Sequence, residues 1–289
     1  MAVRIMSWNV NLDLNATNLI SVASLIAAED PDLVAMQQSR QERLRNFTSA
    51  DPNSFTDPNT FYGYLRSNRW PDRGNGRGTI FEHHTTTIGS STGITTVSRV
   101  PLSGTTALWV GRADVLGTTG YQEKRHIQRA LATLPSGGQF YIFNTHLSAN
   151  GPGVIDGIDQ PGVDQRVTAY KFAVGLPVGS QASSPPLSGS SRRIVAGDFN
   201  TDPGAMPSNT WVTSADAPWR DFDDPDTTPT IPSVTRSPAN PDYPVGNKRD
   251  YIFRLNGTDF SFAMPVSYKR IVENKVSDHK AIVADISGV

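Results

Sequence analysis

Apolar residues along this chain fall in short runs that tend to end in polar ones. VRIMSWNV, Val3 to Val10, is strand-like. In NLISVASLIAAEDPD the apolar positions Leu19, Ile20, Val22, Leu25 and Ile26 recur at helical spacing and stop at Pro31. A short apolar run, Asp32 to Met36, follows and delivers two neutral amides, Gln37 and Gln38. A strand–helix–strand unit of this kind favours two neighbouring parallel strands with the helix on one face.

Residues 46–78 are rich in Asn, Pro, Arg and Gly and read as a long loop, which in a compact domain is functional or mobile. Strand-like segments return at Gly93–Ser98, Thr105–Val110, Ile127–Leu134 and Gln139–Thr145, the last two joined by the turn PSGG. Val163–Leu176 predicts a helix, and SQASSPPLSGSS after it a surface connection. RRIVAGDFN, RDYIF, FSFAMPVSY and KAIVADI complete the strands. Elements of both kinds alternate without a break in composition, so residues 1–289 read as one α/β domain; the alternative is a split within residues 180–247.

Composition narrows the chemistry. A net charge of −1 argues against a strongly basic nucleic-acid binder, and the absence of cysteine excludes disulfides, thiolate metal sites and cysteine nucleophiles. No apolar run approaches the roughly 18 residues of a membrane helix. The chain opens on a strand, so a soluble protein is expected, with an exported form whose leader was removed as the alternative.

The polar strand ends carry the candidate chemistry. They are Asn9 in SWNV, Gln38 in VAMQQ, His146 in NTHL, Asp198 and Asn200 in AGDFN, Asp250 in RDYIF, and Asp278 with His279 in SDHK. Each alone has a plain reading, as a turn or cap. Together they describe a cleft beyond the strand ends, holding carboxylates and amides suited to a hard divalent cation and His and Asp suited to proton transfer. Asp198 and Asn200 share a side if the chain there is extended.

SWNV, PDLVAMQQ, NTHL, GDFNTDP, RDYIF and SDHKAIV, in this order, resemble the endonuclease/exonuclease/phosphatase family, the deoxyribonuclease I-like group. The resemblance runs from Arg4 to Ile286. It implies a four-layered α/β sandwich of two packed mixed sheets flanked by helices. It also implies a divalent-metal-dependent phosphodiester hydrolase, acting by in-line water attack on a nucleic acid or a phospholipid. The cation is expected to be Mg²⁺, with Mn²⁺ or Ca²⁺ as alternatives. By resemblance Asn9 and Asp278 belong to the metal site, and His146 contacts the scissile phosphate. Asp198 activates water, Asn200 steadies the phosphoryl group, and Asp250 orients His279. Either Asp198 or His279 takes the proton from water.

One position departs from the pattern. The family strand ends in Gln-Glu, the glutamate being the principal magnesium ligand, and here Gln38 stands in its place. An amide keeps an oxygen donor but removes a charge worth about 4 kcal/mol at 4 Å and an effective dielectric near 20. Gln38 is then an engineered substitution, a natural variation in the ligand set, or the mark of an inactive phosphoester-binding member.

For substrate contacts, RSNRWPDRGNGR gathers Arg66, Arg69, Arg73 and Arg77 around Trp70, a pattern that grips phosphates and stacks a base; a polar surface loop is the competing reading. Arg125 in EKRHIQR is a further phosphate-binding candidate. Glu82, His83 and His84 are either an accessory metal site or solvated hairpin residues. No obligate protein partner is evident, and a monomer is expected.

Overall fold

The computed structural model describes residues 3–10, 17–39, 44, 60–68, 70, 80–86, 93–114, 122–148, 152–156, 158–180, 192–201, 219–221, 250–255, 266–272, 277, 279 and 281–286. Strands are numbered here in chain order. The first sheet runs, edge to edge, β13 (Val266–Val272), β14 (Ala281–Ile286), β1 (Val3–Asn9), β2 (Leu33–Gln37), β4 (Gly93–Ser98) and β3 (Phe81–Thr86). The second runs β11 (Trp219–Asp221), β12 (Asp250–Leu255), β10 (Arg193–Asp198), β7 (Gln139–His146), β6 (Gln122–Thr133), β5 (Leu102–Asp114), β8 (Pro152–Ile155) and β9 (Ile158–Asp164). Both sheets are mixed: β1 is parallel to β2 and antiparallel to β14, and β10 is parallel to β7 and antiparallel to β12.

Side chains alternate across a strand, and this period of two divides the apolar residues into layers. Val3 and Ile5 of β1, Leu33 and Ala35 of β2, Phe140 and Ile142 of β7, and Ile194 and Ala196 of β10 meet in the core between the sheets. Met6, Trp8, Val34 and Met36 face the other way, onto helix α1 (Thr17–Glu29) and helix α2 (Phe61–Ser67). Ile127, Phe143 and Val195 face outward in the second sheet, onto helix α3 (Gln165–Val174). Helices, sheet, sheet and helix make the four-layered sandwich. None of the helices is long and apolar enough to cross a membrane among the described residues.

The structure corrects several expectations. Residues 46–78 include α2, started by Thr60, whose hydroxyl accepts the Gly63 N–H at 3.0 Å. The helix expected over Val163–Leu176 is shorter: Val163 and Asp164 end β9, Asp164 caps the helix, and Gly175 closes it at φ 81°. β8 and β9 were not foreseen in a stretch rich in Gly and Pro; Pro161 is tolerated because β9 is an edge strand. The PSGG hairpin is as expected, with Leu134 N–H bonded to the Gly138 carbonyl at 2.8 Å. Most of residues 180–247, where a domain split was weighed, and most of FSFAMPVSY lie outside the described residues.

β10 lies so close to β7 that a Cβ at Gly197 would overlap the Thr145 carbonyl oxygen. Gly197→Ala is therefore expected to lower stability by about 1–3 kcal/mol, measured by urea unfolding.

Candidate active site

The core between the sheets turns polar at one end. The same inward faces that carry Ile5, Ala35, Ile142 and Ala196 carry, at their strand ends, Asn9, Gln37, Asn144 with His146, and Asp198. β12 runs the opposite way, so its first residue, Asp250, stands opposite Asp198 in register, and His146 flanks Asp198 on the other side. His279 arrives just before β14, beside β1. Five of the residues singled out from the sequence thus reach one edge of the sandwich.

Asp198 is the hub. It is fully buried; its Oδ2 accepts hydrogen bonds from Asn9 Nδ2 at 3.0 Å and Asn200 Nδ2 at 3.2 Å. The Nε2 atoms of His146 and His279 lie 3.5 and 3.8 Å from the same oxygen. Burial, then the neighbouring Asp250, pushes the Asp198 carboxyl up to about 6, against the opposing pull of His279 and the bonds from Asn9 and Asn200.

Asn200 reaches this hub by a turn, not by extended chain. β10 ends at Asp198, and Asn200 sits at φ 49°, a left-handed conformation that asparagine tolerates. Its backbone N–H donates to Asp198 Oδ1 at 2.8 Å and its amide to the Leu147 carbonyl at 2.9 Å. The alternative reading of Asp198 as the start of an Asx-turn holds, and the turn itself builds the site.

The two histidines are held differently. His279 Nδ1 donates to Asp250 Oδ2 at 2.9 Å, which turns Nε2 to the cleft side. Ser277 fixes this segment, giving its hydroxyl to the Asn9 carbonyl at 2.6 Å and accepting the His279 N–H at 3.1 Å; the Trp8 indole N–H holds the His279 carbonyl. His146 instead faces a cation: Arg125 Nη1 lies 2.7 Å from Nδ1 and 3.2 Å from Nε2. A guanidinium only donates, so Nδ1 is unprotonated and the proton sits on Nε2, towards Asp198. Burial, then Arg125 and His279, holds His146 well below the ordinary histidine range, so it is neutral at pH 7.

Gln38 follows β2 at φ 50°, half-buried. Its turn is braced by Ser39, whose N–H bonds the Gly93 carbonyl at 3.0 Å and whose hydroxyl joins Thr95 Oγ1 at 2.7 Å. Gln37, not Gln38, locks the sheets together: its Nε2 donates to Asn144 Oδ1 at 2.8 Å, and Asn144 Nδ2 bonds the Met36 and Thr95 carbonyls.

The donor set fits a hard divalent cation. Asp198, Asp250 and His279 place one ligand atom each within 4.8 Å of one another. Asn9 turns its Nδ2 to Asp198, and its amide oxygen is a hard donor of the kind such a cation takes. Two buried oxygens at this end, Gln37 Oε1 and Asp250 Oδ1, accept no hydrogen bond, a condition that a cation or its water relieves.

Other expectations are placed elsewhere. Trp70 is 2% exposed and packs in the core under α1 and α2, with Arg99 stacked on its ring and bonded to its carbonyl at 3.1 Å. Arg99 also holds Asp30 and Asp32, at the strand ends opposite the cleft, so Trp70 does not stack a substrate. Its large apolar ring is worth more in the core than on a loop. Arg69 and Asp278 lie outside the described residues. Glu82, His83 and His84 form no joint site: Glu82 accepts from Tyr62, His83 faces the Thr106 carbonyl and His84 bonds Thr95, and strand alternation sends His83 to the other face. They are half-buried strand residues rather than solvated hairpin residues.

Sequence reasoning missed Gln37, Asn144, Ser277 and Trp8. The signal was present in the unassigned letters of VAMQQ, NTHL, SDH and SWN, which brace the residues beside them.

Comparison with known proteins gives the class. The chain belongs to the Endonuclease/Exonuclease/phosphatase family, whose model matches residues 6–279. No curated protein matches it in sequence. Among solved structures it is similar to an endonuclease/exonuclease/phosphatase family protein from Leptotrichia buccalis C-1013-b, at 16% identity and TM-score 0.61, covering 99% of this chain and 100% of that one. It is also similar to D. rerio TDP2 complexed with a single-strand DNA product, at 17% identity and TM-score 0.61, covering 99% of each chain. The human Nocturnin catalytic domain with bound sulfate follows at 16% identity and TM-score 0.57, covering 99% of this chain and 93% of that one. At these identities the likeness carries the fold.

Proposed function

We propose that this chain is a divalent-metal-dependent phosphodiesterase, built as one domain on the interleaved strands of both sheets. The observation that carries the reading is the convergence of both imidazole Nε2 atoms and two amide donors on Asp198 Oδ2. A phosphate-binding cleft also agrees with the DNA product in the TDP2 structure and the sulfate in the Nocturnin structure.

Asn9, Gln38, Asp250 and Asp278 would hold the cation. A bound cation would supply Lewis-acid stabilisation of charge on a phosphoryl oxygen. The remaining work falls to this chain's own groups. Asp198 accepts a proton from the attacking water; its raised affinity for protons suits that task near neutral pH. The water oxygen bonds to phosphorus as the ester P–O bond opposite it breaks. His146, neutral and protonated on Nε2, donates to a phosphoryl oxygen, as does the Asn200 amide. Asp250 holds His279 through Nδ1 and so turns Nε2 to the cleft.

A second reading, an inactive phosphoester-binding protein, is favoured only by Gln38. Chelator-sensitive hydrolysis of a chromogenic phosphodiester separates the two.

The Asn9 hydrogen bond favours the charged form of Asp198, so removing it raises the carboxyl further. Asp198 must be ionised to accept a proton, and a bound cation pulls its titration down. In a kcat/KM–pH profile at saturating Mg²⁺, the acid limb is therefore expected at or below about pH 6, and Asn9→Ala moves it to higher pH.

A further inference from the structure

β5 and β6 form a long antiparallel ladder in which Trp109 pairs with His126 and Arg112 with Lys124, across a bulge between Trp109 and Gly111. Two residues inward from His126, Gln128 reaches the first sheet, donating to the Ile94 carbonyl at 2.8 Å. By strand alternation His126 and Lys124, with their partners Trp109 and Arg112, share that inward face. It is the face on which β7 carries Asn144 and His146. Ring contacts agree: Lys124 Nζ lies 4.2 Å and Arg112 Cζ 4.9 Å from the Trp109 ring centroid. Arg125, between Lys124 and His126 in sequence, turns to His146.

The cluster stands on β6 and β5, two and three strands from β10 and so about 10–14 Å from Asp198 at ~4.8 Å per strand spacing. Trp109, Arg112 and Lys124 are all half-buried, so they border solvent yet are packed. An indole under two cations holds them in place, which reduces the side-chain freedom lost when they take up an anion. Lys124 makes no ion pair with a carboxylate among the described residues, and its ammonium retains donors beyond the ring contact.

We propose that Trp109, Arg112 and Lys124 form a phosphate-binding wall beside the candidate active site, which takes the phosphates flanking the one hydrolysed and selects a single nucleic acid strand as substrate. The inference rests on the hydrolase reading for the position of the scissile phosphate. A small phosphodiester does not span about 10 Å, whereas a nucleic acid strand carries a phosphate on every nucleotide and does. A choline-type lipid headgroup would bring its own positive charge against Arg112 and Lys124.

The test is fluorescence anisotropy of a labelled single-stranded oligonucleotide with the full chain in chelator, so that binding is read without turnover. Lys124→Gln is expected to weaken binding about fivefold and to reduce the slope of log Kd against log salt by about 0.7. Trp109→Leu weakens it similarly, while Trp109→Phe, which keeps an aromatic face, retains most of it. Lys171→Gln, the same charge change at an exposed position of α3, leaves binding unaltered. Losses no larger than that of Lys171→Gln would overturn the wall, as would binding to phosphatidylcholine vesicles with none to the oligonucleotide. If the unaltered chain shows the expected binding series but hydrolyses no phosphodiester, the wall stands and the hydrolase reading falls.

Discussion

Asp198→Ala is expected to reduce kcat for a chromogenic phosphodiester by about 10³-fold, within the range that a general base contributes. The loss is more than one proton acceptor. Asn9 and Asn200 both orient their amides by donating to Asp198 Oδ2, and both histidines face it. The variant should keep a cooperative unfolding transition, because the substitution also removes a buried carboxylate that stands opposite Asp250. Kinetics beside a melting curve check both halves; turnover within a few fold of the parent would remove Asp198 from the chemistry.

Gln38→Glu is the second large effect, in the opposite direction. Restoring a carboxylate next to a doubly charged ion adds an attraction of about 4 kcal/mol per unit charge at an effective dielectric near 20. If desolvation cancels half, about 2 kcal/mol remains, close to a 30-fold tighter Mg²⁺ Kd. The φ of 50° at Gln38 and the Ser39–Thr95 brace come from the backbone and are kept, so the new carboxylate takes the place of the amide. Titration calorimetry with Mg²⁺ reads the change directly. An equal Kd in the two forms would mean that residue 38 does not face the cation.

How much of this was legible beforehand differs between fold and site. The strand ends Asn9, His146, Asp198 and Asp250 were readable because each borders an apolar run, and the inward face continues unbroken from core to cleft. Trp70 misled because composition cannot tell an aromatic on a basic loop from one pinned in the core; its contact with Arg99, 29 residues on, is tertiary. The pairing of Arg125 with His146 was equally invisible, since it depends on how a long side chain crosses a strand end. β8 and β9 were hidden by glycine and proline, which weaken a strand pattern even where edge pairing tolerates them. The Asn200 turn reached the expected neighbour by a different backbone, because an Asx-turn and an extended dipeptide share the same letters.

The most direct test of the account is hydrolysis of bis(p-nitrophenyl) phosphate by the unaltered chain, with Mg²⁺ and then with excess chelator. Slow but measurable release of nitrophenol is expected, abolished by chelator and restored by added Mg²⁺. Release indifferent to chelator, or none at any Mg²⁺ concentration, would contradict the hydrolase reading.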